Sequence, residues 1–183
     1  MRTIGIDEVG RGCWAGPLVA AAAIFDKPVD GLNDSKKLSK RRRSELALEI
    51  HKQAHVGIGW VTPAEVDTLG LTEAVRLAMQ RAIDEMQVGY DEVIIDGNYN
   101  FLPHIPGSKA IIRADGLIPA VSAASIVAKV ARDTYMEQLD EKYEKWQFSS
   151  HVGYGTAAHI AALHEHGVSD IHRHSYKPIK AFL

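Results

Sequence analysis

The chain has 183 residues, 46% of them apolar and 24% charged, with a net charge of −2. That suffices for one domain, residues 1–183, with a sizeable core, and argues against disorder. The lone Cys13 excludes an internal disulfide framework, and no apolar run approaches the roughly 20 residues that cross a bilayer. The start, with Arg2 and Asp7 around a short apolar run, lacks a signal peptide's apolar core. A cytoplasmic location, no membrane contact and, by default, a monomer are expected.

The near-neutral balance confines any polyanion site to a local patch. One candidate is LNDSKKLSKRRRSE, where Lys36, Lys37, Lys40, Arg41, Arg42 and Arg43 gather between Asp34 and Glu45. Charge pattern alone fits a solvated helix start equally well.

In chain order, TIGIDEV reads as a strand followed by a GRGCWAGP turn. LVAAAAIF is ambiguous, because alanine prefers helix, but Gly16-Pro17 before it and PVDG after it favour a strand in a hairpin. SKRRRSELALEIHKQA is an amphipathic helix with Ser39 as N-cap, and VGIGWV is a third strand. Thr62-Pro63 starts a helix, and a longer one runs through LTEAVRLAMQRAIDEM with Val75, Ala78, Met79, Ala82 and Met86 on one stripe. EVIID and SKAIIRAD read as short, fully buried strands whose alternation with helices suggests parallel pairing. A helix through VSAASIVAKVARDTYMEQLDEKY carries Ala123, Ala124, Ala128 and Ala131, small enough for close packing on a sheet. TAAHIAALHEHG is the last predicted helix, ended by Gly167. The chain shows no linker, low-complexity block or repeat.

Asp7, Asp96 and Asp115 each fall at or just beyond the C-terminal end of a predicted strand, where open sheets place ligands. Singly, Asp96-Gly97 and Asp115-Gly116 are ordinary turn dipeptides. Together on neighbouring strands the carboxylates would converge, and such a cluster must raise its pKa values or bind cations. Hard oxygen donors suit Mg²⁺ or Mn²⁺. Asp7 and Glu8 present a difficulty, since successive residues of a flat strand face opposite ways. The strand is therefore expected to end or bend near them, with Gly10 and Gly12 permitting unusual backbone geometry; otherwise Glu8 simply pairs with Arg11 or a lysine.

The ordered segments GIDEVGRG, WAGP, LNDSKKLS, VIIDG, RADG, IPAVSAASIVAKVARD, HVGYGT and IHRHSY span nearly the whole chain and resemble the ribonuclease HII (type 2 ribonuclease H) family. The resemblance implies an α/β, RNase H-like fold: a five-stranded mixed sheet flanked by helices, its first three strands antiparallel and the others parallel to the first, with a helical C-terminal part. It makes Asp7, Glu8, Asp96 and Asp115 a catalytic, metal-binding site for two Mg²⁺ or Mn²⁺ ions. It assigns Gly10, Arg11 and Gly12 to a ribonucleotide's 2′-hydroxyl and adjoining phosphates, and Tyr154 to the deoxyribose that follows. It sets Lys36 and Lys37 near the substrate backbone. The implied substrates are RNA/DNA hybrids and ribonucleotide-containing duplex DNA, cut 5′ of the ribonucleotide to leave 3′-hydroxyl and 5′-phosphate ends, with roles in ribonucleotide excision repair and primer removal.

Two departures stand out: Val152 where relatives often carry lysine, removing one backbone contact, and Tyr176 where phenylalanine is frequent. KPIKAFL shows no sliding-clamp motif, so clamp recruitment is not expected. Because the carboxylates must be ionised to hold metal, activity is expected to favour neutral to alkaline pH. A phosphatase or DNA-directed nuclease of the same fold would share the acidic cluster without needing a 2′-hydroxyl reader, and a binding module without catalysis would find that cluster a disadvantage near phosphates. Six of the nine histidines follow Asp133. The pairs His164/His166 and His172/His174 are two residues apart and lack cysteine partners, so surface or packing roles are expected rather than zinc. Lys129, Arg132 and Asp133 read as a polar helix face.

Overall fold

A computed structural model describes residues 1–26, 32 and 38–183. Lys36, Lys37 and the PVDG turn lie outside these. Five strands, β1 (Thr3–Val9), β2 (Leu18–Phe25), β3 (Ala54–Val61), β4 (Glu92–Asp96) and β5 (Ser108–Ile111), form one sheet in the order β3-β2-β1-β4-β5. β1 pairs antiparallel with β2 and β2 with β3, while β4 runs parallel to β1 and β5 parallel to β4. This is the mixed α/β topology expected.

The alanine run settles as β2 because both its faces are covered. Ala20 and Ala22 join Ile4, Ile6, Val93 and Ile95 beneath α3 (Leu71–Glu85). Ala21 and Ala23 pack with Leu46 and Ile50 of α1 (Lys40–Gln53) and with Ala123, Ala124, Ile126, Val127 and Ala128 of α4 (Pro119–Gln138). Ala131, the last of the expected small residues, is only half-buried. Contact on the α4 side is close. A Cβ added at Gly5 would lie 2.2 Å from the Ala120 carbonyl carbon and from the Val121 nitrogen.

The predicted caps form. Ser39 Oγ accepts from Arg42 N–H at 3.2 Å, and Thr62 and Glu65 build a reciprocal capping box at the start of α2 (Pro63–Leu69). Thr156 caps α6 (Ala157–His166), which ends at Gly167. Two short helices, α5 (Phe148–His151) and α7 (Lys177–Lys180), went unread in the sequence. Among the described residues no helix is long and apolar enough to cross a membrane.

SKAIIRAD does not form a fully buried strand. β5 stops at Ile111 and lies at the sheet's edge with its residues half-buried or exposed. An edge strand needs only one apolar flank, and Arg113, at φ 58, turns the chain into a 3₁₀ turn, Ala114–Gly116. The expected helix from Val121 to Tyr143 likewise gives way after Gln138 to a 3₁₀ turn, Leu139–Glu141.

Candidate active site

Asp7 of β1, Asp96 at the end of β4 and Asp115 in the 3₁₀ turn each offer a carboxylate oxygen, and these three atoms lie within 4.8 Å of one another. The parallel β1–β4 pairing brings the first two together. The third arrives because the chain turns after β5, with Asp115 N–H donating to Asp96 Oδ1 at 3.4 Å and Ser122 Oγ–H donating to the Asp115 carbonyl. Burial, reinforced by the neighbouring charges of Glu8 and Asp96, pushes the Asp7 carboxyl up to about 8. A hydrogen bond from Ser125 of α4 works against that rise. A compact group of oxygen donors under this much like-charge strain suits a hard divalent cation.

β1 ends just beyond the acidic pair, as expected. It stays paired through Asp7 and Glu8, opposite Ala21 and Ala20, up to Val9, and the chain turns at Gly10, whose φ of 91° favours glycine. Both residues stay in the ladder, where successive side chains face opposite ways, and Asp7 alone of the two belongs to the triad. Glu8 still lines the same cleft of about 340 Å³. Its Oε1 accepts from Arg11 Nη1 at 3.1 Å, and its Oε2 is buried with no partner among the described residues. Burial raises the Glu8 carboxyl, with Arg11 opposing. The pairing with Arg11 and a place beside the triad are therefore both realised.

Gly10, Arg11, Gly12 and Tyr154 line this cleft, together with Arg43, Ser125 and Lys129. The Tyr154 ring lies 5.7 Å from the Lys129 ammonium, which also pairs with Asp133 at 3.0 Å. Ser125 escaped sequence reading. Its signal is its spacing four residues before Lys129 on one face of α4.

Arg132 corrects the expected polar helix face, for it is fully buried. Its guanidinium donates to the carbonyls of Pro17 (2.9 Å), Ala15 (3.1 Å) and Val152 (2.8 Å). Arg173, also fully buried, donates to the carbonyls of Gly16 (3.1 Å) and Arg11 (3.2 Å). These arginines fasten the 10–17 loop to the segments around Val152 and His172, where Trp14 N–H also donates to the Gly153 carbonyl at 2.8 Å.

Three of the six late histidines are buried in packing roles. His172 Nδ1 accepts from Ser169 N–H at 2.8 Å, so its Nε2 carries the proton and donates to His159 Nε2 at 3.0 Å. His159 Nδ1–H then donates to the Tyr154 carbonyl at 2.9 Å. Burial pulls His159 and His172 down to about 4, so both are neutral in ordinary buffers. His151 stacks on His159 at 4.4 Å.

Comparison with known proteins bears on this geometry. The family profile described as Ribonuclease HII matches residues 4–179. A Ribonuclease HII of Shewanella loihica is 49% identical over 181 residues, covering 96% of this chain and 87% of that protein. Among solved structures, ribonuclease H2 from Pyrococcus horikoshii superposes with a TM-score of 0.84 at 26% identity, covering 100% of this chain and 97% of that one. RNase HII of Archaeoglobus fulgidus, determined in complex with PCNA, gives 0.81 at 28% identity, covering 97% and 96%. The matched range takes in every strand and turn that assembles the acidic cleft, so the chain belongs to the ribonuclease HII family and is an endoribonuclease of the ribonuclease H class.

Proposed function

We propose that the chain hydrolyses the RNA strand of RNA/DNA hybrids and incises duplex DNA 5′ of a single embedded ribonucleotide, leaving 3′-hydroxyl and 5′-phosphate ends, as one metal-dependent catalytic domain with a helical C-terminal part. The observation that carries this is a three-carboxylate cluster beside a cleft that Asp7 and Asp96 of that cluster line together with the Gly10-Arg11-Gly12 loop. Asp7, Asp96 and Asp115 would hold the ions, and Glu8, with its Oε2 unpartnered among the described residues, would complete the set. When bound, two Mg²⁺ or Mn²⁺ ions supply an activated water and neutralise charge at the phosphate and the departing 3′ oxygen.

The chain's own groups do the rest. Ser125 keeps the Asp7 carboxylate oriented. Gly10-Arg11-Gly12 brings backbone to the sugar edge, and because a 2′-hydroxyl both donates and accepts, backbone groups can tell RNA from DNA without reading bases. Tyr154, 38% exposed, stacks on the following deoxyribose and favours an RNA-to-DNA junction. Lys129 and Arg43 face the substrate's phosphates across the cleft, and Lys36 and Lys37 extend that contact. The proposed engagement needs no clamp.

The test is cleavage of matched all-DNA, single-ribonucleotide and hybrid duplexes with and without metal. Metal-dependent cuts 5′ of the ribonucleotide are expected, with no cutting of all-DNA duplex. Tyr154→Ala is expected to lower junction cleavage about tenfold, the cost of one stacking contact of roughly 1.4 kcal/mol, and to affect long hybrids less. A cut on the 3′ side, or equal cutting of all-DNA duplex, refutes the assignment. Because metal must displace a proton from Asp7, the affinity for Mn²⁺ measured by calorimetry is expected to climb as pH rises to about 8 and then level off.

A further inference from the structure

The Arg11 carbonyl is held by two donors from the far end of the chain. Arg173 Nη1 reaches it at 3.2 Å and the Tyr176 hydroxyl at 2.5 Å, while Arg173 Nη1 also donates to the Tyr176 oxygen at 2.8 Å. The guanidinium lies over the Tyr176 ring, 5.2 Å from its centroid, so the tyrosine is fixed by charge and by hydrogen bond together. Among the described residues Arg173 pairs with no carboxylate, and its Nη2 is buried without an acceptor. A buried cation left so poorly matched is costly to keep, and what it gains is the carbonyls of this loop.

That grip has a geometric result. Among the described residues no peptide bond is cis, so the Arg11 C=O and the Gly12 N–H point in opposite directions across one plane. With the carbonyl drawn inward to Tyr176 and Arg173, the Gly12 amide is turned outward, and among the described residues it has no acceptor. Gly12 has no steric reason of its own to be glycine: its φ is ordinary and a Cβ there would meet nothing within 4 Å. The space before that amide is open to a ligand.

We propose that the Tyr176 hydroxyl, backed by the Arg173 guanidinium, is a positioning group for ribonucleotide recognition: it sets the Arg11–Gly12 peptide plane and so aims the Gly12 N–H at the substrate's sugar edge. The inference rests on the proposed reading of Gly10-Arg11-Gly12 as the ribonucleotide contact, and it adds that a hydroxyl outside the cleft tunes that contact. Tyr176 touches neither substrate nor metal in this scheme. It acts only through the loop.

Tyr176→Phe removes the one oxygen and keeps the ring. On single-ribonucleotide duplex its KM is expected to rise about three- to tenfold, the equivalent of one lost hydrogen bond, with kcat within about twofold of the unmodified protein. The Tm should move by less than about 4 °C. In the free protein, the ¹H–¹⁵N resonance of Gly12 should shift, since its peptide plane is no longer held. Gly12→Ala, made in parallel, examines the underlying reading: it should fold normally yet cleave poorly, because the added methyl fills the space a sugar would take. Wild-type cleavage by Gly12→Ala removes the recognition loop itself, and the proposal with it. Poor cleavage by Gly12→Ala together with an unchanged KM for Tyr176→Phe leaves the loop as reader but overturns the role of the hydroxyl, whatever the resonance does. A Tyr176→Phe loss confined to kcat or to Tm makes the tyrosine purely structural and also overturns it.

Discussion

Asp7→Asn is expected to end cleavage while making the metal-free protein harder to unfold above neutral pH. Losing one carboxylate from the triad should lower kcat at saturating metal by at least about 10³-fold, the rate equivalent of roughly 4 kcal/mol. The stability effect follows from the raised Asp7 pKa. In the unfolded chain this group ionises near the ordinary 3.8, whereas in the fold it holds its proton up to about 8. Between those values the native state binds the extra proton, so native stability falls as pH rises through that window. Asparagine has no proton to lose, and its side chain can still accept from Glu8 N–H, which donates to Asp7 Oδ1 at 2.8 Å. Asp7 is only partly shielded at the cleft floor, so the gain at pH 8.5 is set at about 2 kcal/mol, or roughly 5 °C in Tm. Near pH 4 the two proteins should melt together. Thermal scans in chelator at both pH values check this, and a gap independent of pH would remove the like-charge account.

Gly5→Ala is expected to be strongly destabilising. The new Cβ would fall 2.2 Å from backbone atoms of Ala120 and Val121, and a helix backbone cannot swing aside as a side-chain tip can. α4 must lift from β1, at a cost of about 3 kcal/mol and roughly 6–12 °C in Tm. The same lift withdraws Ser125 and Lys129 from the cleft, so activity should fall even at temperatures where the variant is folded. A variant melting within 2 °C of the unmodified protein would show that the layers yield more readily than this contact implies, taking about 2 °C as the smallest shift that 1 kcal/mol produces in a chain of this size.

What the sequence made legible was whatever short-range chemistry decides. Ser39 and Thr62 cap helices because hydroxyls satisfy free amides, and their positions read directly from the letters. Asp7, Asp96 and Asp115 were readable because strand ends and turn glycines mark where a carboxylate can leave the sheet. β5 was misread because IIRAD looks like a buried strand until one knows that it sits at the edge, a fact of topology that local pattern does not carry. The opposed faces of Asp7 and Glu8 were foreseen, and so was the strand's end beside them: β1 stops at Val9 and the chain turns at Gly10. Arg132 was hardest. A charged letter reads as surface, and only the inward-turned carbonyls of Pro17 and Val152, more than a hundred residues away in the case of Pro17, explain why this side chain is buried.

The seam joining the 10–17 loop to the segments at 152–153 and 171–176 has a consequence for the order in which the molecule matures. Arg173 reaches back 157 residues to Gly16 and 162 to Arg11, and Tyr176 reaches back 165 to Arg11. Closing loops that long is slow compared with forming helices and hairpins. The sheet and its carboxylates are complete by Asp115, whereas the loop proposed to choose the target is locked only when the last of these segments docks. On a ribosome, the acidic cluster would exist before the chain could discriminate what lies in front of it, and selectivity for sugar type would be among the last properties the newly made protein acquires.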